Sequence, residues 1–261
     1  MIRLLRQLRA FFKIKLAIIV EYRAMVYIWT LAGITPIVMM FVWMNLAENG
    51  LAGRTPQDFA RYFLVAFIAG QITQAWVVWE FDYLIRTGSL SGVLIKPYDP
   101  WWDQVVENFA SNGFRLPLTF GIAALGLWLT GAWQGLDFAR LPLFALSLAL
   151  AWQLAFNISY ALALLGLWTE RIKSVDGWHY MALAVLGGQV FPLDLLPPTL
   201  ARIVELTPYP WIIGFPVSLA AGGQVDIPYG LTMQVLWLAI FVVLHRILWR
   251  RGIKRFGAVG G

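Results

Sequence analysis

Few of the residues that carry chemistry in enzymes occur in this chain in a usable arrangement. There is no cysteine, and the two histidines, His179 and His245, lie far apart. That removes a thiolate site and makes zinc chemistry improbable, so no metal ligand set is assigned. No G-x-x-x-x-G-K-[ST] loop is present to cradle nucleotide phosphates, and neither G-x-S-x-G nor H-E-x-x-H occurs. A membrane enzyme acting on lipid would need His, Asp or Ser gathered at one interface. The only such group is Glu170, Asp176 and His179, which reads as a cluster of polar residues at a helix end.

The polar residues inside apolar runs are the other candidates. They are Gln71, Thr73, Gln74, Gln153, Asn157, Ser159 and Gln189. Side chains of this kind bond between membrane helices or line a path. Gln71, Gln74, Gln153, Asn157 and Gln189 are the path candidates, and uncharged amides suit a hydrophobic or amphiphilic substrate better than an ion. Ion-coupled carriers leave charged residues within their spans. Here Glu80, Asp82, Glu170 and Arg171 sit at the ends of the apolar runs, which disfavours a stand-alone carrier or channel.

These residues are positioned by elements built for lipid. Hydrophobic residues make up 60% of the chain and charged residues 13%, against about a quarter charged in soluble domains. A spanning helix needs about 20 mainly apolar residues. Such runs fall at 24–47, 62–79, 116–136, 141–169, 177–193 and 227–244, predicting an all-α polytopic membrane protein of six transmembrane helices. The stretch 206–225 is also apolar but is broken by prolines and closed by Gly222 and Gly223, and it is read together with the residues before it as one segment, 193–226. It is expected to form one or two short re-entrant or interfacial helices, with a kinked seventh span as the alternative.

Charge supports the even count. With six spans, 16 of the 20 basic residues fall on the side holding both termini, leaving Arg54, Arg61, Arg140 and Arg202 opposite. Basic loops mark the cytoplasmic side, so both ends are expected there. The net charge of +6 is thus a topology signal, and no nucleic-acid partner follows from it. Residues 1–23 begin with an amphipathic stretch. Leu4, Leu5, Leu8, Phe11 and Phe12 share one face, and Arg6, Arg9 and Lys13 the other, as in a helix lying on anionic lipid. No internal repeat or low-complexity linker divides the chain, so 1–261 reads as one domain.

The segment 80–115 is the most informative loop. A Thr-Gly turn precedes a short amphipathic piece from about Ser89 to Lys96, with Leu90, Val93 and Leu94 as an apolar stripe. Pro97 ends it, Asp99-Pro100 begins the next turn, and Trp101 and Trp102 suit a membrane interface. Such a piece can dock on a partner or lie on the bilayer.

With its arginine, glycine, leucines and spaced prolines, RTGSLSGVLIKPYDP resembles the loop of permease subunits of ABC-2 type exporters. The residues that match are Arg86, Gly88, Leu90, Leu94, Pro97 and Pro100. The region GGQVFPLDLLPPTLARIVELTPYPWIIGFPVSLAAGG resembles the family's glycine-rich span end and proline-led external segment. A basic N-terminal helix before EYRAMVYIW is a looser match. The resemblance covers essentially the whole chain. It implies a non-catalytic permease of the inner or plasma membrane, paired with a second permease chain that is a copy or a sister. Two ATP-binding subunits would bind ATP and magnesium and grip a coupling helix formed here by Arg86, Gly88, Leu90, Leu94, Lys96 and Pro97. Leu90 and Leu94 would enter a groove on the ATPase, and Arg86 and Lys96 would pair with its acids or with headgroups. The N-terminal helix would lie at the membrane surface, and 193–226 would cap the path outside.

Overall fold

The computed structural model describes residues 11–17, 20–21, 27–28, 30–31, 33–50, 53–169 and 172–256. Among these residues all regular structure is helical. From Thr35 on, ten α-helices follow in order: α1 (Thr35–Glu48), α2 (Pro56–Thr73), α3 (Val77–Arg86), α4 (Leu90–Leu94), α5 (Pro100–Thr130), α6 (Leu141–Leu164), α7 (Ile172–Leu186), α8 (Pro198–Glu205), α9 (Gly214–Ala220) and α10 (Ile227–Gly252). Arg6 and Arg9 lie outside the described residues. Lys13 is exposed on the helical stretch 11–17.

Local chemistry sets the long helices. Thr55 forms a capping box with Asp58 and is followed by Pro56. Asp99 accepts the Trp101 backbone N–H ahead of Pro100, and Asp226 that of Tyr229 ahead of Pro228. Each pattern satisfies orphan donors and pre-sets the first turn. Four helical stretches are long and apolar enough to cross a bilayer: Pro56–Arg86, Pro100–Thr130, Phe138–Leu167 and Ile227–Gly252. The pair Pro198–Glu205 and Tyr209–Ala220, bent by 81°, makes a fifth if counted as one span. The first and fifth expected spans correspond to shorter helices, α1 with 14 residues and α7 with 15.

Two boundaries differ from the sequence expectation. The segment 80–115 is mostly helix. α3 continues to Arg86 and α5 starts at Pro100, so only 87–99 lies between them. At 1.5 Å per residue α5 is about 46 Å long, more than the roughly 30 Å hydrocarbon core, and it reaches past the bilayer. Arg115, expected in the loop, therefore sits midway along a membrane helix and is 2% exposed. The expected span 62–79 is interrupted, with residues 74–76 non-helical between α2 and α3.

The core forms on α2 and α6. Phe59, Phe63, Ala66 and Ala69 of α2 pack with Leu154, Ala155 and Ile158 of α6 and with Ile212, Val217 and Leu219 of the bent segment. Gly230 of α10 faces the Phe215 ring, and a Cβ there would collide with it. α9 lies inside the bundle, whereas α8 contributes no buried residue. Large apolar side chains such as Phe41, Leu125, Leu129, Leu236 and Val243 remain exposed, as a lipid-facing surface requires.

The two ends of the bundle differ in charge. One end gathers Arg61, Arg140 and the loop after α9. Arg61 donates to the Ala221 carbonyl at 3.0 Å and Arg140 to that of Gly223 at 3.1 Å. The other end holds the α3–α5 connection, Lys173 and the C-terminal turns of α10, where Arg250 and Arg251 complement the helix dipole.

Candidate functional site: a polar cleft and the α3–α5 connection

The break between α2 and α3 leaves several carbonyls without helical donors. Irregular backbone at membrane depth needs partners from the protein itself, and three neighbouring helices supply them. Arg115 donates to the Gln71 carbonyl at 2.8 Å and to Gln74 Oε1 at 2.5 Å, and also bonds Asn112 Oδ1. Asn108 donates to the Gln74 carbonyl at 3.0 Å, and Asn112 to that of Ile72 at 3.4 Å. Ser159 of α6 and Tyr180 of α7 both donate to the Ala75 carbonyl, at 3.2 and 2.8 Å. Trp152 closes the network on Asn108 Oδ1 at 2.7 Å. The break is thus a fixed joint that ties α3, α5, α6 and α7 together.

Beside this joint lies a cleft of about 400 Å³ between α1, α2, α3 and α7. Gln71, Gln74 and Gln189 all line it. Gln71 donates to the Thr30 carbonyl at 3.0 Å and leaves its Oε1 buried without a hydrogen-bond partner among the described residues. At the basic end the cleft meets Trp79, whose indole N–H donates to Asp176 at 3.1 Å and whose ring carries Lys173 Nζ at 4.5 Å. Lys173 also pairs with Asp82 at 2.9 Å, and Arg86 approaches the same carboxylate at 2.9 Å. Asp82 therefore links α7 to the end of α3.

Gln153 and Asn157 are not part of this cleft. Both lie on α6 and line a second cavity against α5 and α10. Of the five amide candidates, three thus line the cleft and two line the second cavity. The 3.6-residue helical period cannot distinguish the faces of α6 when nearly all its residues are apolar. The acid–histidine group is described only in part. Asp176 serves Trp79, His179 lies 3.5 Å from the Tyr209 hydroxyl, and Glu170 is outside the described residues.

The α3–α5 connection turns at Gly88, whose φ of 71° favours glycine. α4 follows as a five-residue helix. Its apolar stripe points into the protein rather than outward. Leu90 is fully buried with Phe81, Val105, Phe156 and Tyr160, and Val93 and Leu94 pack against that cluster. Leu90 is thus enclosed by its own chain rather than presented for docking. A short helix beside a membrane bundle buries its best apolar residue at home. Arg86 and Lys96 are engaged too: Arg86 with Asp82, and Lys96 with the buried Asp103 at 2.5 Å. Burial and the Asp103 carboxylate push the Tyr98 hydroxyl up to about 12. Outward, the connection presents Ser91, Gly92, Pro97 and above all Ile95, which is 86% exposed. Lys96 also lies 4.8 Å over the Phe11 ring, and Lys15 pairs with Glu107 at 2.8 Å, so the N-terminal stretch packs on this connection.

A chain of apolar spans, with a fixed break, a polar cleft and a short helix projecting between two spans, matches the family model described as ABC-2 family transporter protein over residues 31–260. The chain belongs to the ABC-2 transporter family. No curated protein matches it. This ABC-2 protein is a multi-pass membrane permease of an ABC transporter, a class that works with an ATP-binding subunit. Sequence reasoning missed the Arg115 joint in this transporter. Asn108, Asn112 and Arg115 fall on one face of α5 at helical spacing, and that pattern was the available signal.

Proposed function

We propose that the chain is the permease subunit of an ATP-driven exporter of a hydrophobic or amphiphilic substrate. Two permease chains, identical or sister, would form the path, with the cleft beside Gln71, Gln74 and Gln189 as this chain's share of it. The observation that carries the reading is the cleft itself: uncharged amides and aromatic rings next to a joint on which α3 and α7 both depend. Such a lining binds an amphiphile by shape and a few hydrogen bonds.

Two ATP-binding subunits would carry ATP and magnesium, bind under the α3–α5 connection and make contact chiefly through Ile95, Ser91 and Pro97. Leu90 and Gly88 would hold the helix in place, and Arg86 would relay movement through Asp82 and Lys173 to α7. Movement of a docked subunit would then reach the cleft through these packed elements, and coupling requires them to take two arrangements that both sites bias. Both termini would be cytoplasmic in the inner or plasma membrane, and the bent segment would cover the path on the other side.

The test is ATP hydrolysis by the reconstituted complex. Ile95→Asp should leave the permease folded, since the side chain is exposed, and lower coupled hydrolysis by at least about tenfold, the loss expected of a central interface anchor. Intact assembly and hydrolysis in that variant would place the ATPase elsewhere. Transport of an amphiphilic dye by vesicles holding the purified chain alone would instead establish a stand-alone carrier.

A further inference from the structure

The second cavity, about 500 Å³, lies between the start of α5, α6 and the last turns of α10 and shares no lining residue with the cleft. Its mouth carries Arg246 and Arg250, both exposed and one helical turn apart. Neither has an ion-pair partner among the described residues, whereas Arg54, Arg61 and Arg140 at the opposite end are each paired with an aspartate. Trp102 and Trp249 flank them, as aromatic side chains do at a bilayer interface.

The cavity wall carries three buried polar atoms without partners among the described residues: the Trp101 indole N–H, the Tyr160 hydroxyl and Asn157 Oδ1. Tyr160 is 1% exposed and Asn157 is fully buried. The Asn157 amide N–H is already committed to the Gln153 carbonyl at 2.7 Å, leaving its oxygen as an acceptor. Buried polar atoms in folded proteins are nearly always satisfied, so a group of them around one cavity points to an occupant. Asp99 is the single acid on the lining, and its Oδ1 accepts the Trp101 backbone N–H at 2.8 Å.

We propose that this cavity binds the headgroup of an anionic phospholipid. Arg246 and Arg250 hold the phosphate at the mouth. Tyr160 and Trp101 donate to headgroup oxygens inside, and Asn157 accepts from a headgroup hydroxyl. The exposed apolar residues Val243 and Ile247 on α10 adjoin the arginines and lie where acyl chains would run. Basic pockets between helices at a membrane surface suit this ligand because charge and desolvated donors act together.

The test titrates the detergent-purified full chain with phosphatidylglycerol and, separately, with phosphatidylcholine of the same acyl chains, reading bound lipid by native mass spectrometry. Phosphatidylglycerol should be retained at least about tenfold more tightly, and Arg246→Gln and Arg250→Gln should each remove about fivefold. Tyr160→Phe, which keeps the ring packing, should weaken phosphatidylglycerol several-fold and leave phosphatidylcholine unchanged. The double variant Arg251→Gln, Lys254→Gln should have little effect, because those residues are outside the cavity. Equal retention of the two lipids overturns the proposal. So does an equal loss in the Arg251, Lys254 variant, which would mean diffuse attraction, or an unchanged Tyr160→Phe, which would leave the cavity to water. Displacement by an equal concentration of inorganic phosphate would make it a free-anion site and refute the lipid assignment.

Discussion

Replacing Arg115 by methionine tests the joint between α2 and α3. Methionine is similarly long and apolar, so it fills the space without offering a hydrogen bond. Three acceptors lose a charged donor: the Gln71 carbonyl, Gln74 Oε1 and Asn112 Oδ1. The Gln74 and Asn112 side chains can rotate, and Asn112 keeps its bond to Asn108 at 3.2 Å. The Gln71 carbonyl is fixed by the backbone and cannot. Inter-helix hydrogen bonds in membranes average about 0.6 kcal/mol, and an orphaned buried acceptor costs about 1–3 kcal/mol. Relief from burying a guanidinium offsets part of this. The net loss comes to about 2–4 kcal/mol, or about 5–10 °C in melting temperature at this chain length. Thermal unfolding in detergent, followed by tryptophan fluorescence, reads it. Arg115→Lys should lose nearly as much, because a single ammonium cannot span the three acceptors. If the methionine variant melts within about 1 °C of the parent, or the lysine variant matches the parent, the fork of hydrogen bonds does not hold the joint.

The inward face of α4 predicts that Leu90→Ala destabilises the chain by about 2–4 kcal/mol, while Ile95→Ala changes its melting little. The reverse order would show the helix to be rotated. Asp82→Asn leaves Arg86 and Lys173 facing each other without their shared counter-charge. Amide hydrogen exchange in 83–90 and 172–176 should then accelerate together, and Asp82→Glu should restore part of the protection. Acceleration in one segment alone would mean that the carboxylate does not link them.

The legible parts were those written locally. Thr55-Pro56, Asp99-Pro100 and the proline after Asp226 mark helix starts whatever surrounds them, and the apolar runs demand lipid. The prolines of 193–226 also predicted short helices there, and the chain forms α8 and the stretch Tyr209–Ala220, which ends in α9, with an 81° bend between them. The α2–α3 break had no such mark, since residues 74–76 are Gln, Ala and Trp and include neither glycine nor proline. It exists because Arg115, Asn108, Ser159 and Tyr180, from three other helices, take up the freed carbonyls.

The sequence alone therefore determined the solvent of this protein, its helical class, a few helix starts and the family it resembles. These follow from hydropathy, capping and motif order, all readable along one dimension. Tertiary structure decided which face each helix turns inward. It placed Leu90 in the core and left Ile95 outside, and it drew Arg115 from an expected loop into the bundle. It also divided five amides between two cavities. The physical reason is that an apolar side chain is equally at home against lipid and against protein. In a membrane helix, hydropathy shows that a residue avoids water but not which neighbour it faces.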